Sequence, residues 1–398
     1  MAETSHRLPP KRPPITVGAL WHSTGFRSLV YQFLVVVLVV ATFIYLFSNA
    51  QRAMESRGIA TGFGFLSEEA GFAIGESVIS FAAENTYLRA FGVAILNTFK
   101  VAIVSLVFAT TIGTLLGIAR LSSNWLLSKL ASIYVEVFRN TPQLVQIIFW
   151  YTLITRLPGP RQAFNPIEGV YLCNRGLFMG WPMPDPIHPW MVVSLILGCL
   201  SAYGLSRWSQ LRLRRTGYYV SVFWYGLLMI VGFPVTTWLI GGAPAAMDLP
   251  QLRGFNFAGG IDLSPEFLGL MVGLSLYIAS FIAEIVRSGI QSVERGQIEA
   301  ARAIGLRSRF IFHLVIFPQA LRVIVPPAAA QYISLFKNSS LGVAIGYPEL
   351  FNVNNTIITL SGNTMECIGI MMAVYLTISL SIALIMNWYN KLVQIKER

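Results

Sequence analysis

Eight long apolar runs, separated by short polar segments, constrain this chain more than any other feature. They lie near residues 29–47, 92–118, 141–156, 190–206, 219–240, 265–286, 321–346 and 366–390. About 20 apolar residues in a row cross a bilayer as a helix. A helix also bonds its own backbone groups where no water can reach them. Charged residues make up only 12% of the 398-residue chain, about half the share found in soluble globular proteins. The expected fold class is therefore all-α: a polytopic membrane protein of about eight transmembrane helices, not a soluble domain with an anchor.

The net charge of +11 raises the question of nucleic-acid binding, but its placement points elsewhere. Cytoplasmic loops of membrane proteins retain Lys and Arg. With the N-terminus inside, inner segments collect 20 basic residues, including Arg120, Arg139, Arg212, Arg287 and Arg302, whereas outer loops hold 7. No nucleic-acid partner is expected, and membrane lipid is. Both termini fall on the cytoplasmic side, as an even number of spans requires. Residues 1–28, with Pro9, Pro10, Pro13 and Pro14 among basic neighbours, read as a cytoplasmic tail that cannot be helical. The first apolar run is longer than the 7–15 residues of a cleaved signal, despite the Ser48-x-Ala50 that follows it, and reads as a retained anchor.

No catalytic constellation is visible. The four histidines are scattered, and Cys173, Cys199 and Cys367 show neither metal spacing nor an even framework. No cofactor or metal is expected. The phosphate-binding pattern Gly-x-x-x-x-Gly-Lys-[Ser/Thr] is absent from the chain, so any ATP-driven process needs a separate ATPase.

The polar segment at 293–305, between the sixth and seventh runs, has its own logic. Glu299 precedes Arg302 on neighbouring helical positions, a pair worth a few tenths of a kcal/mol. Ala300, Ala301 and Ala303 favour helix and leave a low surface that another protein can approach. Gly305 suits the left-handed position just past a helix end, with apolar Leu306 following. Ser308 fits the cap of a second helix carrying Ile311, Leu314 and Val315. A helix, a turn and another helix are expected near residues 291–318. Read alone, the segment is either an ordinary basic loop or a grip for a soluble partner.

Its spacing is specific, however. Glu299-Ala300-Ala301, three residues, Gly305, then nine residues to Val315-x-Phe317-Pro318 resembles the EAA loop of ABC-importer permeases. Two further blocks resemble amino-acid permeases of the histidine/glutamine type. One holds Leu96-Asn97-Thr98-Phe99-Lys100, Gly113, Gly117 and, within 134–146, Arg139-Asn140-Thr141-Pro142-Gln143. The other runs from 270 to about 390, and together they cover roughly half the chain.

The resemblance implies a type I importer permease fold, with core segments at 91–156 and 264–398. Residues 29–90 add a span and an outer loop. Residues 157–263 add two spans and a Pro-rich, non-helical outer cap. Those additions look most like the permeases of general L-amino-acid importers, placed in a bacterial inner membrane. The implied partners are a cytoplasmic ABC ATPase dimer, a second homologous permease, expected to be a different chain, and a periplasmic substrate-binding protein. Glu299, Ala300, Ala301, Gly305 and Pro318 would couple the spans to the ATPase.

Polar groups at membrane depth are costly and mark a pathway or a pair. Lys337-Asn338-Ser339 lies in the seventh run, where the family commonly shows a Lys-Asn-Thr-Ser string. Pro326-Pro327 upstream is expected to bend or break that helix. One reading has these three residues lining the translocation route and meeting a substrate carboxylate, and the other has a structural lysine. Glu284 either holds an ammonium group or pairs with Arg287 one turn away. Gln143 and Gln146 share one helix face and suggest an interior stripe. Thr141 before Pro142 is expected to start the third span, and Lys100 to snorkel to the outer face. The alternative function is an ion-coupled secondary amino-acid transporter using Lys337 and Glu284 as coupled charges. It would have no need of the helix–Gly–helix loop.

Overall fold

The computed structural model describes residues 24–393 apart from 57, 59, 60, 218 and 219. Most of the expected 1–28 tail lies outside the described residues. The helices are α1 (Thr24–Ser56), α2 (Tyr87–Ala119), α3 (Trp125–Asn140), α4 (Gln143–Thr155), α5 (Ile187–Thr216) and α6 (Phe223–Ile240). They continue with α7 (Pro265–Gln291), α8 (Arg295–Ala303), α9 (Ser308–Ile311), α10 (Phe317–Asn338), α11 (Leu350–Ser361) and α12 (Thr364–Val393). Among the described residues, seven segments are long and apolar enough to cross a membrane: α1, α2, α5, α6, α7, the Ser308–Ile345 run and α12.

The third apolar run becomes α4, which at 13 residues is too short to cross alone. It follows α3 after two extended residues, so the expected start at Thr141–Pro142 is a joint between two helices. Pro142 causes the joint, because it lacks an N–H and its ring collides with the carbonyl four residues back.

α7 is the hub. Its start is capped by Ser264, whose Oγ accepts from the Phe267 N–H at 3.0 Å, with Pro265 in the first turn where its missing N–H costs nothing. Small residues four apart let α2 lie against α7. A Cβ on Gly113 would sit 2.8 Å from the Ala279 carbonyl oxygen, and one on Gly117 would sit 2.7 Å from that of Ala283. On another face of α7, Gly269 and Gly273 receive Tyr151 and Ile147 of α4 at equally short range. Lipid is as apolar as leucine, so this close packing, rather than a hydrophobic drive, holds spans together. Val101, Ile147, Leu270, Leu274 and Tyr347 make one buried cluster, and Ala102, Ile278, Ile282, Leu335 and Phe336 the next.

Pro326 and Pro327 do not break α10, which runs through them without interruption. Proline's fixed φ is compatible with a helix, and neighbouring spans re-satisfy the few carbonyls it frees. The irregularities sit at the two ends: a π-turn at Phe312–Ile316 before it and a 3-10 stretch at Ser339–Ile345 after it.

The outer side carries two non-helical pieces. The Pro-rich cap is a small antiparallel sheet. Its strands β1 (Phe164–Ile167), β2 (Val170–Cys173) and β3 (Gly176–Met179) are joined across the insert by β8 (Ile261–Leu263), in the order β1-β2-β3-β8. Two minor ribbons pair β4 (Trp181–Pro182) with β5 (Met247–Asp248), and β6 (Gln251–Arg253) with β7 (Asn256–Ala258). The stretch at 72–81 is an irregular strap. The Phe72 ring packs tilted against Phe81 at 6.0 Å and Tyr87 at 6.5 Å, over the cluster of Leu350, Val353, Ile357 and Cys367.

Gly113→Leu should destabilise the protein by about 1–3 kcal/mol through overpacking against α7. Gly204→Leu, where nothing lies within 4 Å, should be near neutral. Thermal unfolding of the detergent-solubilised chain, followed by size-exclusion chromatography, compares the two.

Candidate functional site

Two places gather the residues singled out in the sequence: the inner loop at 291–318 and the middle of the α4–α10 contact. In the loop, the chain leaves α7 and forms α8, whose end is a complete Schellman turn. The Gly305 N–H donates to the Arg302 carbonyl at 2.9 Å and the Leu306 N–H to the Ala301 carbonyl at 3.1 Å. Gly305 has φ +81°, a conformation in which an L side chain is strained by about 1–2 kcal/mol. Ala301 and Ile311 are buried beneath α8, as is Val293 just before it. The Gln319 amide donates to Gln297 Oε1 at 3.2 Å and to the Val315 carbonyl at 2.9 Å, fastening α8 to the foot of α10. Pro318 stands in the first turn of α10. The opposite face is open: Glu299 and Ala300 are exposed, and Ile304 at the tip is 78% exposed.

Two local expectations for this loop differ from the structure. Glu299 and Arg302 form no ion pair; both point outward into a medium that screens such pairs. Ser308 is the first residue of α9 rather than its cap, and Arg307 takes the capping place with no side-chain bond.

At the α4–α10 contact, the four amide and hydroxyl groups take distinct jobs. Gln146 Nε2 donates to the Phe138 carbonyl at 2.9 Å and to the Thr141 carbonyl at 3.0 Å. Phe138 lies four residues before Pro142, so its carbonyl is the one that the missing proline N–H leaves unbonded. Gln146 is thus a splint across the joint. Gln143 Oε1 accepts from Asn338 Nδ2 at 2.7 Å, tying the start of α4 to the end of α10. Both glutamines are buried. Ser339 is fully buried with its Oγ donating to the Phe336 carbonyl at 2.6 Å.

Lys337 points away from this group. It is exposed, and its ammonium has no partner among the described residues. It lines a groove of about 450 Å³ with Ser340, Phe351, Met371, Tyr375 and Ser379. Its neighbour Leu335 packs in the same cluster as Ile278, halfway along α7.

Glu284 sits at the inner end of α7 among three arginines. Its oxygens accept from Arg287 and from Arg120, and Arg139 approaches to 4.0 Å while stacking 5.1 Å over Phe281. One carboxylate therefore ties the ends of α2, α3 and α7. Only the Arg287 contact was legible from spacing, because Arg120 and Arg139 arrive from other helices.

The outer end holds a second network with no sequence signal. Glu76, in the strap, takes an ion pair from Lys100 and a hydrogen bond from the Ser264 hydroxyl. Lys100 thus pairs rather than snorkelling, its ammonium 4.7 Å from the Phe267 ring centre. Asn97 Nδ2 bridges the Glu76 and Pro348 carbonyls at 2.8 and 2.9 Å. Glu349, wholly buried, caps α11 through the N–H groups of Phe351 and Asn352 and accepts from the Tyr375 hydroxyl.

Gln146→Leu should leave the Phe138 and Thr141 carbonyls without donors in an apolar setting. The expected cost is about 1–3 kcal/mol, read as a lowered unfolding temperature, and Gln146→Glu should cost as much because the carboxylate has no donor.

The chain has relatives among known proteins. The chain is 42% identical over 94% of its length to the general L-amino acid transport system permease protein AapQ of Rhizobium johnstonii, covering 94% of that protein. It is 43% identical, again over 94% of its length, to the putative amino-acid ABC transporter permease protein YhdX of Escherichia coli, covering 95% of it. Identity to the glutamate/glutamine/aspartate/asparagine transport system permease protein BztB of Rhodobacter capsulatus is 35% over 98% of the chain and 99% of that protein. Residues 109–396 match the description of a binding-protein-dependent transport system inner membrane component, and with relatives of this identity and coverage the chain belongs to that family of multi-pass ABC-importer permease subunits.

Proposed function

We propose that this permease subunit carries L-amino acids inward, with the α8 loop as its point of attachment to a cytoplasmic ABC ATPase. The observation that carries the reading is mechanical. α8 is closed by a Schellman turn, pinned by Ala301 and Ile311 beneath it, bonded through Gln297 to the foot of α10, and leaves Glu299, Ala300 and Ile304 free. A force applied to that free face passes into α7 and α10 together. These two spans also hold the Glu284 and Asn338 contacts, so closure of a nucleotide-binding dimer would rock them as a unit. Substrate identity rests on the relatives, which are permeases of general or acidic and amide L-amino-acid systems.

Further partners follow from the family: a periplasmic substrate-binding protein at the outer cap, and a second homologous permease facing this one across the route. The charge distribution supports an orientation with both termini in the cytoplasm. Within the route, Gln143 and Asn338 mark the α4–α10 side, and Lys337 supplies a cation for a substrate carboxylate. Glu284 acts as an inner brace that keeps α2, α3 and α7 together while the loop moves, and Gln146 and Ser339 hold backbone.

Glu299→Lys should abolish amino-acid uptake in whole cells while membrane insertion and abundance stay unchanged; normal uptake would refute the coupling role. Gly305→Ala should weaken coupling less, through strain at a positive φ. Lys337→Ala should lower substrate-stimulated ATPase activity of the assembled importer while leaving basal activity near its original level. Equal loss of both would remove Lys337 from the route.

A further inference from the structure

The outer cap holds a basic pocket that neither the coupling loop nor the α4–α10 contact uses. Arg161, Gln162, Asn174, Arg175 and Phe255 line it, and its volume is about 320 Å³. Three separate segments supply them. Arg161 and Gln162 stand on the 3-10 turn Pro160–Gln162, Asn174 and Arg175 make the turn between β2 and β3, and Phe255 lies in the turn between β6 and β7. The segments are held in place. The Asn174 N–H donates to the Pro158 carbonyl at 3.0 Å, and Phe257 of β7 stacks on Tyr171 of β2 at 4.5 Å. The Arg161 guanidinium lies 5.2 Å from the Phe255 ring centre, and its planar fork matches a carboxylate while its face rests on the ring. Neither arginine has an ion-pair partner among the described residues, and no acidic side chain lines the pocket. Two guanidiniums without a counter-charge suit a carboxylate, which each can hold through two parallel N–H bonds. Asn174 keeps its Oδ1 buried, so that oxygen does not oppose one.

The surroundings choose between anionic occupants. A free amino acid would carry its ammonium group into a pocket with no acid to meet it. A phospholipid headgroup would lay its tails along the cap. Among the described residues, however, β1 is a sheet edge paired only with β2, and an open edge does not sit in hydrocarbon. β1 therefore faces water, yet it presents Phe164 and Ile167 exposed, as Phe255 is beside Arg161. Aromatic side chains together with arginine are what the centre of a protein–protein interface buries. We infer that this pocket receives an Asp or Glu side chain of the periplasmic substrate-binding protein, with Phe164, Ile167 and Phe255 covered around it. The inference rests on the importer reading above and on the orientation that puts the cap outside.

The test uses the assembled importer in phosphatidylcholine nanodiscs. It is titrated with the substrate-binding protein from the same cells, loaded with L-glutamate, while ATP hydrolysis is followed. Arg161→Glu and Arg175→Glu should each raise the half-saturating concentration about tenfold, the loss of one charge-assisted bond. Basal hydrolysis and the maximal stimulated rate should stay unchanged, which also shows that both variants fold. About 0.3 M NaCl should weaken the wild-type response but not that of the double variant, because salt screens exposed charges. A photoreactive p-benzoylphenylalanine in place of Phe255 should cross-link to a binding-protein segment holding Asp or Glu, and changing that acid to Arg should restore the Arg161→Glu variant. Unshifted titrations in both variants, adducts to lipid alone, a shift that needs added phosphatidylglycerol, or failure of the reversed pair to recover would each overturn the proposal. A wild-type assembly that the binding protein does not stimulate would bring down the importer reading as well, whereas normal stimulation with unshifted variants brings down only the role of this pocket.

Discussion

The structure depends on how closely two spans approach α7. Gly113 and Gly117 let α2 rest on α7 backbone at Ala279 and Ala283, and Gly269 and Gly273 admit α4 on another face. In lipid, burying apolar side chains gains little, so contact distance and interlocking do the stabilising. The helices that carry the polar groups are therefore placed relative to one rigid post. Glu284 near the inner end of α7 and Ser264 at its outer start are both bonded to other elements, which pins the post at both ends.

A second constraint is backbone satisfaction where water is absent. The chain breaks its helices in three places inside or beside the core, at Pro142, at Phe312–Ile316 and at Ser339–Ile345. Where partners are seen for these breaks, they are local. Gln146 serves the carbonyls exposed by Pro142, and Ser339 folds back on Phe336. Discontinuities of this kind are where a membrane helix can pivot without exposing an unbonded carbonyl. The second and third bracket α10, the span that is bonded to α8 on one side and touches α4 through Asn338 on the other.

Much of the plan was legible along the chain. Long apolar runs announced the spans, and the Ala-rich segment ending at Gly305 announced a helix with a left-handed stop, which the Schellman bonds display. Proline density announced a non-helical cap, though not that residues 177 and 263 would pair across the whole insert. Less legible were outcomes set by competition. Pro326–Pro327 reads as a break, yet neighbouring spans hold the helix through it. Gln146 reads as an interior polar residue, and only the geometry of the joint shows which carbonyl it serves.

The long apolar runs, the absence of a nucleotide-binding loop and the shape of α8 with its left-handed stop were settled by sequence alone. Each follows from local composition and from the periodicity of a single helix, where neighbours within four residues decide. Tertiary structure alone decided which charged and amide groups meet. Glu284 with Arg120 and Arg139, Glu76 with Lys100, and Gln143 with Asn338 join residues 24 to 195 positions apart. Such pairs depend on the rotation and depth of packed helices, which no short window of the chain encodes.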